Sequence, residues 1–423
     1  MRKWKAIIFV VVGCFLGFLS WLGISKIDRS EEKIKDIPIM RIYLDDVDLE
    51  TITSGSKETK YEGNRLVLEN EGNKIELEDV QIKGRGNSTW GNPKNPFQIK
   101  FKQKVDLLGL GERKKYILLA NYVDESFLRN DLVFKITEMI DEKYRLSGEF
   151  IELYIDDEYQ GLYYLTSKIE IGKNSVDLRD KNAGLFELAT LSRLYEDCHY
   201  SGLGECLLLS DATFLDNEEI SVAVISDFVE KFSELEIAIK NRSFFNTSNI
   251  IDVESFAEYA LISDFMLNPD AFVTSFKFYR DGFEDKIHAG PLWDFDFAVG
   301  NRKWGENFTD GRIPDAFITQ EEYIYPDGRP DAGSGKIMYI LMEMPEFKEE
   351  MKRIFNGKLC GRRAELKDYV IERANSIREA ALRDNALWGE RGGFDEELEY
   401  LLDWLDKRFD FFEQKYSAEA PME

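Results

Sequence analysis

The sequence predicts an α+β protein: an apolar N-terminal helix, then a β-rich part, then a helical C-terminal part. Three observations carry this. Ala6 to Ser25 runs for 20 residues without a charge, long enough as a helix to span about 30 Å. From Pro38 the chain changes to short alternating runs punctuated by Gly and Asn, the pattern of strands and hairpins. Near the other end, Phe394, Leu398, Leu401, Leu402, Leu405, Phe409 and Phe412 fall on one helical face.

Composition excludes several chemistries. The chain has 423 residues and a net charge of −25, and its 43% hydrophobic share places it among globular rather than disordered proteins. Two histidines, His199 and His288, are too few for a multi-histidine zinc site and argue against a Ser-His-Asp triad. Outside residues 1–26, 51 basic residues face 80 acidic ones. Such a surface repels nucleic acid and favours basic partners or cations. Cys198 and Cys206 are spaced to close a short loop outside the cell, which leaves Cys360 as a free, buried thiol.

Residues 1–26 read as an uncleaved membrane anchor. Arg2, Lys3 and Lys5 precede the apolar run and hold that end in the cytoplasm. No Ala-x-Ala-like cleavage site follows it. The expectation is a single-pass protein of the cell membrane with its bulk extracytoplasmic, joined through a charged linker at 27–36.

Residues 37–180 form the β-rich lobe, with strands at Met40–Leu44, Arg65–Glu69, Lys74–Leu77, Val80–Lys83 and Phe97–Phe101. Between the last two lies Lys83-Gly84-Arg85-Gly86-Asn87-Ser88-Thr89-Trp90, followed by Pro93-Lys94-Asn95-Pro96. Glycines flanking an arginine let backbone amides approach an anion closely. With Lys100 on the next strand, Arg85, Gly86, Asn87 and Ser88 make a candidate phosphate cradle; the bland alternative is a plain turn. Leu107–Gly111 reads as a tight turn and Tyr116–Leu119 as a buried strand. Asp124-Glu125-Ser126 caps a helix from Phe127 to about Glu142, in whose first turn Arg129 requires a carboxylate partner. A hairpin turns at Asp156-Asp157-Glu158.

Residues 181–301 hold an expected insertion at 181–215, helices over 220–240 and 253–267, and then the densest cluster of acids and aromatics. Asp270 follows Asn268-Pro269 at a helix–strand junction, and Gly290-Pro291-Leu292-Trp293-Asp294-Phe295-Asp296 follows two aromatic strands. In a strand, Asp294 and Asp296 share one face while the aromatics bury the other. Paired carboxylates repel unless a cation sits between them, and a divalent oxygen-seeking ion fits. Asp270 supplies a third carboxylate; a solvated strand face is the alternative. Residues 302–423 close the fold: a loop-like stretch to about Gly335, a helix over Lys336–Phe355 with a turn near Pro345, a long helix over Gly361–Leu387, and the amphipathic helix named above.

These residues resemble the spore-coat protein H (CotH) kinase-like family over most of 37–301. The resemblance rests on six motifs in order: Lys83 to Trp90, Pro93-Lys94 with Ile99-Lys100-Phe101, Leu107-Leu108-Gly109-Leu110, Asp124 to Asn130, Tyr159-Gln160-Gly161-Leu162-Tyr163-Tyr164-Leu165, and Gly290 to Asp296. It implies an atypical, two-lobed protein-kinase-like fold that transfers the γ-phosphoryl of ATP, with Mg²⁺ or Mn²⁺, to Ser or Thr of envelope or coat proteins. By the same resemblance, Lys100 contacts the ATP phosphates under the turn at Arg85. Asp270 is the catalytic-loop aspartate, and Asp294, with Asp296, binds metal. Two positions depart from the family pattern: Ser167, where an acid is usual, with Glu170 as a substitute, and Ser275, where ordinary kinases place a metal-binding Asn. These two favour a second reading, an inactive relative serving as a binding or assembly module of the cell envelope.

Overall fold

Period-two burial organises the first half of the chain in the computed structural model. The structure describes residues 37–86, 88–189, 198–202, 204–268, 271–272, 275–301, 311–318, 336–389 and 393–417. The expected anchor at Ala6–Ser25 lies outside them. Among the described residues no helix is long and apolar enough to cross a membrane.

Seven strands, β1 (Ile39–Tyr43), β2 (Tyr61–Asn70), β3 (Asn73–Gly84), β4 (Phe97–Val105), β5 (Arg113–Leu119), β6 (Gly148–Ile155) and β7 (Glu158–Ser167), close into a barrel. Neighbours are antiparallel except β1 and β6, whose parallel pairing completes the circle. Alternate residues fill the interior: Met40 and Ile42, Leu66 and Leu68, Val80 and Ile82, Phe97, Ile99 and Phe101. Their intervening neighbours point the other way, as the pleat requires. Asp156 and Asp157, both at positive φ, turn the β6–β7 hairpin where the sequence placed it. The expected α+β character holds, with the β-rich part before the helical one. The β-rich part is a closed barrel, however, not the plain kinase-like lobe that the resemblance implies.

A short helix α1 (Leu49–Ser54), capped by Asp48, follows β1. The helix after β5, α2, spans Arg129–Met139 and starts later than expected because Phe127 takes a left-handed φ of 61°. Asp124 still serves its N-terminus: Oδ2 accepts from the Arg129 backbone N–H at 2.9 Å. The buried Arg129 guanidinium has its expected carboxylate partners, Asp124 and Glu397, each at 2.5 Å.

A second sheet combines β8 (Gly184–Ala189), β9 (His199–Tyr200), β10 (Cys206–Ala212), β11 (Phe276–Arg280) and β12 (His288–Ala289) in the order β12-β11-β8-β10-β9. The stretch 181–215, expected as an insertion, therefore supplies its middle strand. Leu185, Phe186 and Leu188 of β8 are buried. Cys198 and Cys206 form a disulfide with Cα atoms 5.4 Å apart.

Helices α3 (Glu218–Lys240) and α5 (Val253–Phe265) follow the expected periodicity, and a short helix between them, α4 (Phe244–Ile250), was not expected. Every α5 residue from Phe256 to Phe265 is buried, Glu258, Ser263 and Asp264 among the apolar side chains. The C-terminal part is α6 (Lys336–Met342), α7 (Pro345–Ile354) with Pro345 in its first turn, α8 (Arg363–Trp388) and α9 (Phe394–Tyr416). Phe394, Leu401, Leu405, Phe409 and Phe412 bury the predicted face of α9 in the larger core. Cys360 corrects the expectation of a buried thiol: it is free but exposed, in the turn between a π-helical segment and α8.

Candidate functional site

A cavity of about 180 Å³ opens where the ends of β3 and β5 meet the second sheet. Its charged and polar lining includes Arg85, Lys94, Asn121, Asn130, Glu187, Ser275, Lys277, Asp294 and Asp296, with Trp293 as an apolar wall.

The Gly-Arg-Gly turn supplies the first of these. A Cβ on Gly84 would stand 2.4 Å from the Trp90 ring, and one on Gly86, at φ +85°, 2.1 Å from Thr89 Oγ1. Only glycine fits either place. The turn is pinned by the Arg85 N–H donating to Pro96 O at 3.2 Å. The Arg85 guanidinium lies over the Trp293 ring, 5.2 Å from its centroid. Nη1 is sealed from solvent and has no hydrogen-bond partner. Burial lowers its hold on the proton, while Asp294 and Glu187 oppose that. A buried guanidinium N–H without an acceptor is costly, so this corner is complementary to an anion.

Lys277 and Glu187 face each other across β11 and β8 and form an ion pair. Sequence reading missed both, and missed Asn121 and Asn130. A signal existed: Lys277 stands alone between Phe276 and Phe278, and Glu187 between Phe186 and Leu188, each the polar side of a strand.

Asp294 and Asp296 reach the cavity by a route other than the expected one. The ladder between β11 and β12 ends at Ala289, and residues 290–295 are irregular after a cis Gly290–Pro291 bond. Asp294 has φ +72°, in the left-handed region and outside regular strand geometry. Strand alternation is therefore not what brings the two carboxylates together. Phe295 and Phe297 are buried as expected, but Trp293 lines the cavity with the acids. Asn130 fixes the segment by accepting from the Phe295 N–H at 2.9 Å. Ser275 Oγ donates to Asp294 Oδ2 at 2.9 Å, and Asn268 Nδ2 donates to the Asp294 carbonyl at 3.2 Å.

The other expected residues fall as follows. Gly86 carries the turn beside Arg85. Ser88 opens a short 3₁₀ turn. Asn87 and Asp270 lie outside the described residues. Lys100 is not in the cavity lining. It sits three residues along β4 from Phe97, about 10 Å from the strand end at the cavity, and opposite Lys115. Glu170, the expected substitute for an acid at Ser167, bonds Lys115 at 2.9 Å. Ser167 is buried at the end of β7, opposite Tyr116.

Among the described residues no group of three or more His, Cys, Asp or Glu side chains is placed to hold a metal by itself. Asp294 and Asp296 still suit an ion such as Mg²⁺, which takes one or two carboxylates and completes its shell with water and phosphate oxygens. The donor set pairs carboxylates with the cations Arg85 and Lys277, and so fits a metal-bound anion.

No curated protein matches this chain. A family model described as CotH kinase protein matches residues 82–412. The match begins inside β3 and runs to Phe412 in α9, so it takes in the C-terminal helices that lie beyond the motifs of the sequence resemblance. The chain belongs to the CotH kinase family.

Proposed function

We propose that this protein is an extracytoplasmic, membrane-anchored kinase that transfers the γ-phosphoryl of ATP to Ser or Thr hydroxyls of a protein partner. The observation that carries this reading is one cavity in which the unpartnered Arg85 Nη1 and the Lys277 ammonium accompany Asp294 and Asp296. Phosphoryl transfer is chiefly positioning and charge neutralisation, which is what such a set supplies. Arg85 and Lys277 hold phosphate oxygens, and Glu187 keeps the lysine aimed. Asp294 and Asp296 would hold Mg²⁺ or Mn²⁺, which would offset the negative charge of the phosphates. Asp270, two residues beyond Asn268, orients the acceptor hydroxyl. A cavity of about 180 Å³ suits the phosphate end of a nucleotide better than the whole of one.

The charge of −25 favours a basic protein partner and disfavours nucleic acid. The Cys198–Cys206 disulfide supports an oxidising compartment. The alternative, an inactive binding or assembly module of the envelope, draws on Ser275, whose hydroxyl occupies one Asp294 oxygen.

The test is incubation of the full-length protein with labelled ATP, Mn²⁺ or Mg²⁺ and a mixture of basic proteins. Transfer is expected from the wild type. Asp270→Asn keeps the shape without the charge, so it should abolish transfer while melting like the wild type. Transfer at the wild-type rate by Asp270→Asn reduces Asp270 to a turn cap. No transfer by the wild type with either metal favours the inactive module.

A further inference from the structure

We infer that Asp384, on α8 and far along the chain from the cavity, is a positioning residue for the phosphate-binding turn, acting through Lys94. The inference rests on the proposed phosphate site and names what holds that site in shape.

Lys94 lines the cavity, yet its side chain is fully buried and points away into the protein. Its ammonium donates to Asp384 Oδ2 at 2.5 Å and to Leu162 O at 2.6 Å. It also lies 4.5 Å from the ring centroid of Tyr163. The Asp384 side chain is fully buried as well, and its Oδ2 accepts a second bond from the Leu162 N–H at 2.8 Å. Gly161 makes room for this: a Cβ there would stand 2.1 Å from the same oxygen. Around the pair, Trp388 Nε1 donates to Gln160 O at 2.9 Å, and Arg383 binds Glu152. Tyr163 OH donates to Asn95 O at 2.9 Å. One helix therefore grips the β7 segment Gln160–Tyr163 and, through it and Lys94, the Pro93–Pro96 segment. Pro96 O in turn receives the Arg85 N–H. The chain of contacts from Asp384 to the Arg85 turn is continuous.

A buried ion pair adds little net stability over apolar side chains of the same size. Its geometry is what apolar groups cannot reproduce: a directed ammonium fixed by two oxygens. That separates two roles. If the pair only fills space, replacing both members by apolar residues leaves the cavity as it was. If it positions the turn, the same replacement keeps the fold and loosens the turn.

The experiment compares the full-length wild type with Lys94→Met/Asp384→Leu, which removes both charges together, and with Asp384→Asn, which strands Lys94. Hydrogen exchange is followed in the backbone of residues 84–97, and binding of ATP with Mn²⁺ is measured alongside. The double variant should fold and melt only modestly below the wild type, the loss being that of the Leu162 N–H left without its acceptor. Its 84–97 segment should exchange about tenfold faster or more, with β6 and β7 still protected, and nucleotide affinity should fall by about tenfold or more. Asp384→Asn should melt well below both. Unchanged exchange in 84–97 in the folded double variant overturns the inference. So does failure of the double variant to fold, since the pair is then a stability element. A wild type that binds no nucleotide counts against the proposed function instead, and the exchange result still decides the role of Asp384.

Discussion

Glu142, just beyond the end of α2, is buried beneath the segment that delivers Asp294. Its Oε1 accepts from the Leu292 N–H at 3.2 Å, and its Oε2 has no hydrogen-bond partner. Gly290 permits the approach, since a Cβ there would stand 2.9 Å from Oε1. Burial pushes the carboxyl up to about 8; the Leu292 N–H opposes this, Glu258 adds to it, and Arg145 opposes it. The folded state therefore keeps a proton that the unfolded chain has released. Stability from this group is complete below about pH 4.5 and is lost as pH rises toward 8. Urea unfolding of the wild type should show a decline on the order of a few kcal/mol across that window. Glu142→Gln should flatten that decline, and an equal decline in the variant contradicts the assignment. Residue types were partly legible in advance. Arg85 could be picked out because two glycines have a steric reason to flank it. Lys100 could not be rejected, because a strand lysine's distance from a cavity depends on where the strand ends. Glu187 and Lys277 were hidden because their pairing joins strands some ninety residues apart.

At the scale of elements, α9 does more than cover the core. Arg408 is fully buried and donates to the carbonyls of Asp264 and Phe265 at the end of α5, to Pro314 and Ala316, and to the Asp264 carboxylate at 3.2 Å. A cation at a helix C-terminus meets unsatisfied carbonyls there, and this one joins α5 to residues 314–316. Arg408→Met leaves the buried Asp264 without its counter-charge, so thermal or urea unfolding should register a loss of about 3–5 kcal/mol. A loss below about 1 kcal/mol, the scale of an exposed pair, contradicts it. The face of α9 was readable from its apolar spacing, and so were the strands of the barrel. Residues 290–296 were misread because acids and aromatics alternate there as they do in a strand. The backbone breaks that pattern with a left-handed Asp294, held by Asn268 and Ser275 donating to Asp294 and by Asn130 accepting from the Phe295 N–H. Those partners lie far apart in sequence, so no local pattern reports them. The barrel's closure was equally out of reach, since β1 pairs with β6 more than a hundred residues later.

Across the whole molecule, barrel and second sheet each contribute one half of the cavity. The β3–β4 connection brings Arg85; β8 and β11 bring Glu187 and Lys277; the irregular segment after β12 brings Asp294 and Asp296. The central claim is that these halves together form a site for nucleotide phosphates and a divalent ion. Equilibrium binding of ATP to the full-length protein, read as a melting shift with and without Mn²⁺, tests it most directly. Ligand that binds only the folded state stabilises it by about 2.7 kcal/mol at a hundred times Kd. The wild type should show a metal-dependent upward shift, which Arg85→Ala and Asp294→Ala should each lose while melting normally without ligand. Absence of any shift in the wild type, or an equal shift in both variants, would contradict the account.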